Sequence, residues 1–258
     1  MIRIRPILRR TLLAAASALP LAALPAAAGA QALTVAAAAS LSDAFKAIGQ
    51  RFEAARPGVS VRFNFAASGV LIQQIVQGAP VDVFASADQQ TMARGVEHKV
   101  IDAATRRDFA ANTLVLIVPT QGTPPAARLA DLTSPQVRRI AVGKPATVPV
   151  GRYTQQALEA AGLWAALEPR FVQADSVRQV LDYVARGEVE AGFVYRTDAA
   201  LMTDKVKIVQ TVDGHQPVRY PVAVVADSRH KALAADFAAF LLGAEAQGIL
   251  AKFGFGKP

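Results

Sequence analysis

The sequence predicts an α/β fold built from two lobes. Short apolar strand segments alternate with segments of helical periodicity, and this alternation favours mostly parallel sheets flanked by helices. It occurs as two successive series, one beginning at Leu33 and one at Arg139. A late strand near Tyr220 follows the second series, so we expect it to return to the first lobe.

The N-terminal segment 1–32 is predicted to be a secretory signal peptide. It has a basic start, a Leu- and Ala-rich run interrupted by Pro20, and small residues that lead to Ala32. The apolar run is too short to span a membrane. We therefore expect this segment to be cleaved and the mature protein to be periplasmic.

The mature sequence has little net charge and no cysteine. Its formal net charge falls from +8 to +4 once the four arginines of residues 1–10 are removed. The remaining Lys and Arg residues form no cluster, so no nucleic-acid partner is expected. Because 52% of the residues are apolar and none is cysteine, stability is expected to come from an apolar core rather than from disulfides.

The first series predicts four strands and three helices. The predicted strands are Leu33–Ala38, Val59–Phe65, Val81–Ser86 and Asn112–Val118. The first helix has Leu41, Phe45, Ile48 and Phe52 on one face, the second begins at Ser68 and ends near Gly78, and the third has Asp88 as its N-cap.

The second series predicts five more strands. They are Arg139–Gly143, Phe171–Gln173, Ala191–Tyr195, Val206–Val212 and Tyr220–Ala226. Helices are predicted to begin near Val150 and Val177, and Trp164–Pro169 is predicted to be a turn. We expect residues 33–116 to form lobe 1, completed by 221–258, and residues 117–220 to form lobe 2.

Ser40 and Ser68 both lie where a predicted strand turns into a helix. Ligands of open α/β sheets bind outside the carboxyl ends of the strands, where such turns meet. Ser68 is expected to be a helix N-cap. A helix N-terminus attracts anions, because unpaired N–H groups and the positive end of the helix dipole meet there.

Three further candidates are Val150, Val177 and Tyr195. The backbone at the two valines lies at predicted helix starts, and Tyr195 ends a predicted strand. Together with Ser40 and Ser68 they form a set of neutral donors, which suits a small, fully deprotonated oxyanion. Each position also has a purely structural explanation: a cap at Ser40, a core contact at Val177, an aromatic at a lobe edge for Tyr195.

Signals for catalysis are weak. None of the three histidines, His98, His215 and His230, lies near a serine in a nucleophile elbow, and neither G-x-S-x-G nor H-E-x-x-H occurs. An exported hydrolase would have to use Ser68 or Ser40 with Tyr195, and no nearby base is evident. We therefore expect neither an enzyme nor a cofactor.

The chain from about Leu33 to Gly254 resembles the periplasmic molybdate-binding proteins of ABC transporters. The segments that carry the resemblance are Ala38–Leu41, Ala67–Gly69, Gln77–Asp88, Val148–Tyr153, Ala174–Arg178 and Gly192–Tyr195. The resemblance implies a type II periplasmic binding protein fold, with molybdate or tungstate held in the cleft between the lobes. It also implies delivery to a membrane permease, for which we expect a monomer.

The same resemblance implies a role for each candidate residue. Ser40 and Ser68 would supply hydroxyl and backbone donors, Val150 and Val177 backbone N–H groups, and Tyr195 its hydroxyl. The molybdenum would be held through the oxyanion's oxygens, with no direct metal ligands from the protein.

Two positions depart from the family pattern. Many relatives have serine where Gly69 stands, which lowers the expected number of side-chain donors. Val150 stands where alanine is common, and its larger side chain is expected to tighten or tilt the pocket. A receptor of the same fold for another oxyanion, such as sulfate, is the first alternative; an exported serine hydrolase is the second.

Overall fold

The computed structural model describes residues 1–2, 31–122 and 124–258. The predicted signal peptide lies outside the described residues over positions 3–30. The first strand begins at Gln31, two residues before the predicted start.

The described residues contain ten strands and nine α-helices. The strands are β1 Gln31–Ala38, β2 Val59–Ala66, β3 Val83–Ala85, β4 Arg107–Asn112, β5 Leu114–Pro119, β6 Ile140–Gly143, β7 Phe171–Ala174, β8 Ala191–Tyr195, β9 Val206–Thr211 and β10 Val218–Val224. The α-helices are α1 Ser42–Ala54, α2 Ser68–Val76, α3 Gln89–Glu97, α4 Pro149–Ala160, α5 Trp164–Leu167, α6 Val177–Ala185, α7 Arg196–Ala199, α8 Lys231–Leu242 and α9 Ala244–Lys252.

The strands form two five-stranded sheets with the same topology. Their orders are β2-β1-β3-β10-β4 and β7-β6-β8-β5-β9. In each sheet the strand in fourth place, β10 or β5, is antiparallel to both of its neighbours, so the other four strands share one direction. The predicted α/β class with two mostly parallel sheets is confirmed.

The two antiparallel strands lie where the chain changes sheets. A single residue, Thr113, separates β4 of the first sheet from β5 of the second, and residues 212–217 separate β9 from β10. The expected boundaries therefore fall inside strands: position 116 in β5 and position 220 in β10. We propose that the lobes exchange at Thr113 and within 212–217.

Three predictions of local structure were wrong. The sequence predicted one strand over Asn112–Val118, whereas β4 and β5 are separate strands and β4 was missed. The predicted strand Val81–Ser86 is only three residues long. The predicted turn Trp164–Pro169 contains the short helix α5, because Leu167 packs fully buried in the core.

Aromatic side chains join the C-terminal helices to the first lobe. The ring of Phe237 on α8 lies 5.0 Å from that of Phe52 and 6.2 Å from that of Phe45, both on α1. These edge-to-face contacts are fully buried and favourable. They fix α8 to the lobe that β10 re-enters.

In the described part of the chain, no single helix is long and apolar enough to cross a membrane. Only the bent pair α8–α9 reaches the length and apolar composition of such a helix.

Candidate functional site

Ser40 and Ser68 lie side by side at the carboxyl ends of two adjacent parallel strands. The last residues of β1 and β2, Ala38 and Ala66, are paired in register. Each serine follows two residues later and is almost fully buried, with 3% and 0% exposure. The strand register therefore brings together two serines that are 28 positions apart in sequence.

The hydroxyl of Ser40 is anchored to a tyrosine of the returning strand. Ser40 lies in a short 3-10 helix, Ala39–Leu41. Its Oγ is 3.0 Å from the Tyr220 Oη of β10. Burial raises the pKa of Tyr220 well above its usual value, so this phenol remains protonated at neutral pH.

Ser68 is not the helix N-cap that the sequence predicted. It is the first residue of α2, and Ala67 occupies the cap position without a side-chain hydrogen bond. The Oγ of Ser68 instead accepts a hydrogen bond from the backbone N–H of Ala87, at 3.0 Å. The tertiary contact with the end of β3 has replaced the local capping bond.

Val150 and Val177 lie at the starts of helices in the second lobe. Val150 is the second residue of α4, after Pro149. Val177 is the first residue of α6, whose N-cap Ser176 accepts a hydrogen bond from Gln179 N–H. First-turn N–H groups have no acceptor within their own helix, so both helix starts offer backbone donors.

The larger side chain of Val150 packs inside the protein, next to Gly143. A Cβ added to Gly143 would lie 3.1 Å from Val150 Cγ1 and 2.7 Å from Val148 Cγ1. The absence of a side chain at Gly143 therefore makes room for both valines, and Val150 is fully buried there. Its side chain is accommodated beside β6.

Tyr195 ends β8 and is 1% exposed. Within residues 31–122 and 124–258, its Oη is a buried atom without a hydrogen-bond partner. Burial raises the pKa of Tyr195 well above its usual value, so the hydroxyl keeps its proton. Its ring centroid is 5.9 Å from that of Tyr220, the tyrosine that contacts Ser40. An unpaired buried hydroxyl is costly, so Tyr195 remains a candidate for contact with a ligand.

The backbones of the two lobes touch next to Ser68. The N–H of Gly69 donates to the carbonyl oxygen of Thr147, at 2.9 Å. A Cβ at position 69 would lie only 2.5 Å from that oxygen. Glycine is therefore required for this approach. A serine there would collide with the second lobe, so the departure from the family pattern has a steric reason.

Arg152 of α4 crosses to the first lobe. Its Nε lies 2.7 Å from Asp88 Oδ2, and its Nη2 lies 2.6 Å from Thr91 Oγ1. The side chains of Arg152 and Asp88 are 11% and 5% exposed. Asp88 also caps α3 through its contact with Thr91 N–H, as the sequence predicted. This buried ion pair joins the starts of α3 and α4.

Arg178 of α6 makes a second crossing beside Ser40. Its Nη2 lies 2.9 Å from Asp43 Oδ2 in the first lobe, and its Nε lies 2.6 Å from Asp198 Oδ1 in the second. Burial raises the pKa of Asp198 to about 6, although Arg178 opposes this shift. Carboxylates thus partner both arginines, and the neutral donors remain for a ligand.

Sequence reasoning missed several residues of this site, the buried carboxyl of Asp198 among them. Asn112 lies on β4 and Tyr220 on β10, next to the two points where the chain passes from one sheet to the other. The two residues contact each other although they are 108 positions apart in sequence. Arg152 and Arg178 lie within two of the segments that carry the family resemblance, Val148–Tyr153 and Ala174–Arg178. Their place in these segments was the sequence signal that could have identified them. Their partners across the cleft left no trace in local sequence.

The arrangement suits binding rather than hydrolysis. Two of the three histidines hydrogen-bond away from the candidate residues: His215 contacts the carbonyls of Val212 and Gln216, and His230 contacts Asp82. No described group of three or more His, Asp or Glu side chains is placed to hold a metal ion. The neutral donors at these strand ends and helix starts match the hydrogen-bonding needs of a small oxyanion.

Comparison with known proteins agrees with this geometry. The bacterial extracellular solute-binding protein family matches residues 33–256. The molybdate-binding protein ModA of Escherichia coli (strain K12) is 39% identical over 229 residues, covering 86% of this chain and 88% of that protein. ModA of Mycobacterium tuberculosis (strain H37Rv) is 40% identical over 232 residues, covering 89% and 86%.

A solved structure extends the similarity to three dimensions. The periplasmic molybdate-binding protein of Azotobacter vinelandii superimposes with a TM-score of 0.76 at 25% identity, covering 88% of this chain and 99% of that one. The two-lobed periplasmic binding protein fold expected from the sequence is thereby confirmed. On sequence, fold and site geometry together, the chain belongs to the bacterial extracellular solute-binding protein family.

Proposed function

We propose that this protein captures molybdate outside the cytoplasm and delivers it to an ABC importer. The observation that carries the proposal is the Tyr195 hydroxyl, which is buried and protonated and has no described protein partner. The Tyr195 ring packs against Tyr220, which contacts the Ser40 hydroxyl, and the proposal is supported by the molybdate-binding relatives.

The proposed ligand set is Ser40, Ser68, Val150, Val177 and Tyr195. The serines and the tyrosine donate O–H groups, and the two helix starts donate backbone N–H groups. Such a set stabilises a dianion without a counter-charge. Tungstate has the same charge and nearly the same size, so it is proposed as an equivalent ligand.

The proposed cycle is binding, closure and release to a membrane permease. The protein would act as a monomer after its signal peptide is removed, and it would bind its ligand without chemical turnover. Since the candidate residues are at most 5% exposed, a bound anion would be enclosed, and the lobes must open to exchange it.

Sulfate is the second candidate ligand, because the same donors suit any tetrahedral dianion. The proposal favours molybdate because Mo–O bonds are longer than S–O bonds, so a smaller anion cannot reach all donors at once. The serine-hydrolase alternative is not supported, since Ser40 and Ser68 contact Tyr220 and Ala87 rather than a base.

Calorimetry on the mature protein, stripped of bound anion, tests the proposal. We expect tight binding of molybdate and tungstate and no heat from sulfate. Tyr195→Phe should weaken molybdate binding by about tenfold or more, the loss of at least one hydrogen bond to a charged group. Tyr183→Phe is the matched control, because the Tyr183 hydroxyl accepts a hydrogen bond from the Gln179 side chain one turn earlier in α6.

Ser68→Ala should also weaken molybdate binding, while the anion-free protein still folds, with a lower stability because the Ala87 N–H loses its acceptor. Tight sulfate binding by the wild-type protein would favour the alternative receptor. Absence of binding for all three anions would contradict the proposed function.

A further inference from the structure

A chain of three polar side chains, one half-buried and two almost fully buried, ends at the Ser40 hydroxyl. Asn112 Nδ2 lies 3.2 Å from Tyr220 Oη, and Tyr220 Oη lies 3.0 Å from Ser40 Oγ. Tyr220 is fully buried and Ser40 is 3% exposed. The direction in which each hydrogen bond runs determines what Ser40 can offer to a ligand.

The first bond can run only one way, because the amide of Asn112 has a fixed orientation. Its Oδ1 accepts the backbone N–H of Thr113, at 2.9 Å. Its Nδ2 donates to Thr197 Oγ1, at 2.9 Å, and to Tyr220 Oη. An amide nitrogen is a donor only, so Tyr220 Oη must accept.

The direction of the second bond follows from the first. If Ser40 donated to Tyr220, the phenol would accept two bonds and its own proton would need another acceptor. No other partner of Tyr220 Oη exists in residues 31–122 and 124–258, and a buried O–H without an acceptor is costly. Tyr220 therefore donates to Ser40 Oγ, and the Ser40 proton is left for a ligand.

We propose that Asn112 and Tyr220 are positioning residues, which orient the Ser40 hydroxyl so that it donates to the bound anion. This inference rests on the proposed function and deepens it. A ligand atom at this position must then be an acceptor. The relay selects a fully deprotonated oxyanion such as molybdate over one that carries a proton, such as hydrogen phosphate.

Ser68 reaches the same polarity by a different route. Its Oγ accepts from the backbone N–H of Ala87, a donor that no side-chain substitution can remove. Ser68 is thus an internal reference, because side-chain changes in the relay reach Ser40 and leave Ser68 unchanged.

Tyr220→Phe removes the donor to Ser40 and keeps the ring that packs against Phe109 and Phe255. The measurement is a double-mutant cycle in molybdate affinity, with Ser40→Ala and with Ser68→Ala. We expect Tyr220→Phe to lower affinity about tenfold in the wild-type background. We expect little further loss in the Ser40→Ala background and the full loss in the Ser68→Ala background.

Asn112→Asp is a second variant that reverses the relay. Its Oδ1 can still accept from Thr113, while its second oxygen would now accept protons from Tyr220 and Thr197. Tyr220 would then accept from Ser40, and the Ser40 proton would point away from the ligand. The ratio of molybdate to inorganic phosphate affinity should fall in this variant, and more in the presence of Ser40 than in the Ser40→Ala background.

The outcomes separate the two proposals. If the wild-type protein binds no molybdate, the proposed function fails. If it binds molybdate but the Tyr220→Phe and Ser40→Ala losses simply add, the relay is wrong and the function stands. If Tyr220→Phe does not fold, the Asn112→Asp cycle decides alone, and an unchanged anion ratio in it would overturn the relay.

Discussion

At the scale of the residue, the buried polar groups around the cleft are of two kinds, neutral hydroxyls and a carboxyl. The hydroxyls of Ser40 and Ser68 each contact a protein group that leaves their proton free, and Tyr195 Oη has no described partner. Asp198 is different: it is fully buried, one oxygen contacts Arg178, and the other is unpaired within the described chain. This carboxyl is the least satisfied charge of the site.

Asp198 is expected to make stability depend on pH. Burial raises the pKa of Asp198 to about 6 from its ordinary value of 3.8, so the folded state binds this proton more tightly than the unfolded state. The resulting stabilisation is complete below about pH 4 and is lost as the pH rises through about 6. Its size is about 3 kcal/mol for a shift of about two pKa units.

Asp198→Asn tests this dependence by chemical denaturation of the anion-free protein from pH 4 to 7. As the pH rises, the unfolding free energy of the variant should increase relative to that of the wild type. Asp204→Asn, at an exposed carboxyl, is the control and should run parallel to the wild type. Parallel curves for Asp198→Asn as well would mean that Asp198 does not hold its proton.

Two helices of the second lobe have a common design at the scale of the element. Both α4 and α6 present their N-terminal turn to the cleft, and each carries an arginine one or two residues after the proposed donor residue. Arg152 and Arg178 reach the first lobe through Asp88 and Asp43. The helix starts that offer N–H donors are therefore the elements that hold the closed lobes together.

Arg152→Met is expected to lower molybdate affinity by at least about tenfold. It leaves Asp88 and Thr91 without their partner, and an uncompensated charge in a buried pair costs about 3–5 kcal/mol. That cost arises only when the lobes close over Asp88, so the closed population falls and the apparent affinity with it.

Calorimetric affinity and the molybdate dissociation rate measure this effect. Arg186→Met is the control, because the Arg186–Glu188 pair is 3.8 Å long and its side chains are 67% and 48% exposed. Exposed pairs of this kind contribute little. Equal affinities for Arg152→Met and Arg186→Met would show that the buried pair has no part in closure.

At the scale of the whole molecule, the site exists only because two separate lobes meet. Each lobe completes its own five-stranded sheet, and the chain crosses between them through Thr113 and residues 212–217. The contact of Gly69 with Thr147 is backbone against backbone. Closure therefore requires free space between these two backbone segments, and rotation of a side chain cannot create that space.

Gly69→Ala should hinder closure and leave the lobes folded. Its Cβ would lie 2.5–2.9 Å from three backbone atoms of Thr147. We expect a smaller decrease in radius of gyration when molybdate is added, measured by small-angle X-ray scattering, and an affinity at least about tenfold lower. Gly248→Ala is the control, because a Cβ there meets nothing within 4 Å; wild-type compaction in Gly69→Ala would contradict the steric argument.

Sequence alone determined the α/β class, the two series of elements and the identity of the candidate donors. These depend on hydrophobic periodicity and on residues at element ends, which are local properties. The resemblance to molybdate-binding proteins came from short motifs at the same element ends. Even the helix N-cap at Asp88 was predictable, because Thr91 lies only three residues away.

Only the tertiary structure decided how those residues work. The sequence suggested that Ser68 caps its helix, yet its hydroxyl accepts from Ala87, and the roles of Asn112, Tyr220, Arg152 and Asp198 were not predicted. Their partners lie between 19 and 180 positions away. A hydrogen bond depends on distance and direction in space, and residues so far apart in sequence acquire both only when the sheets and lobes assemble.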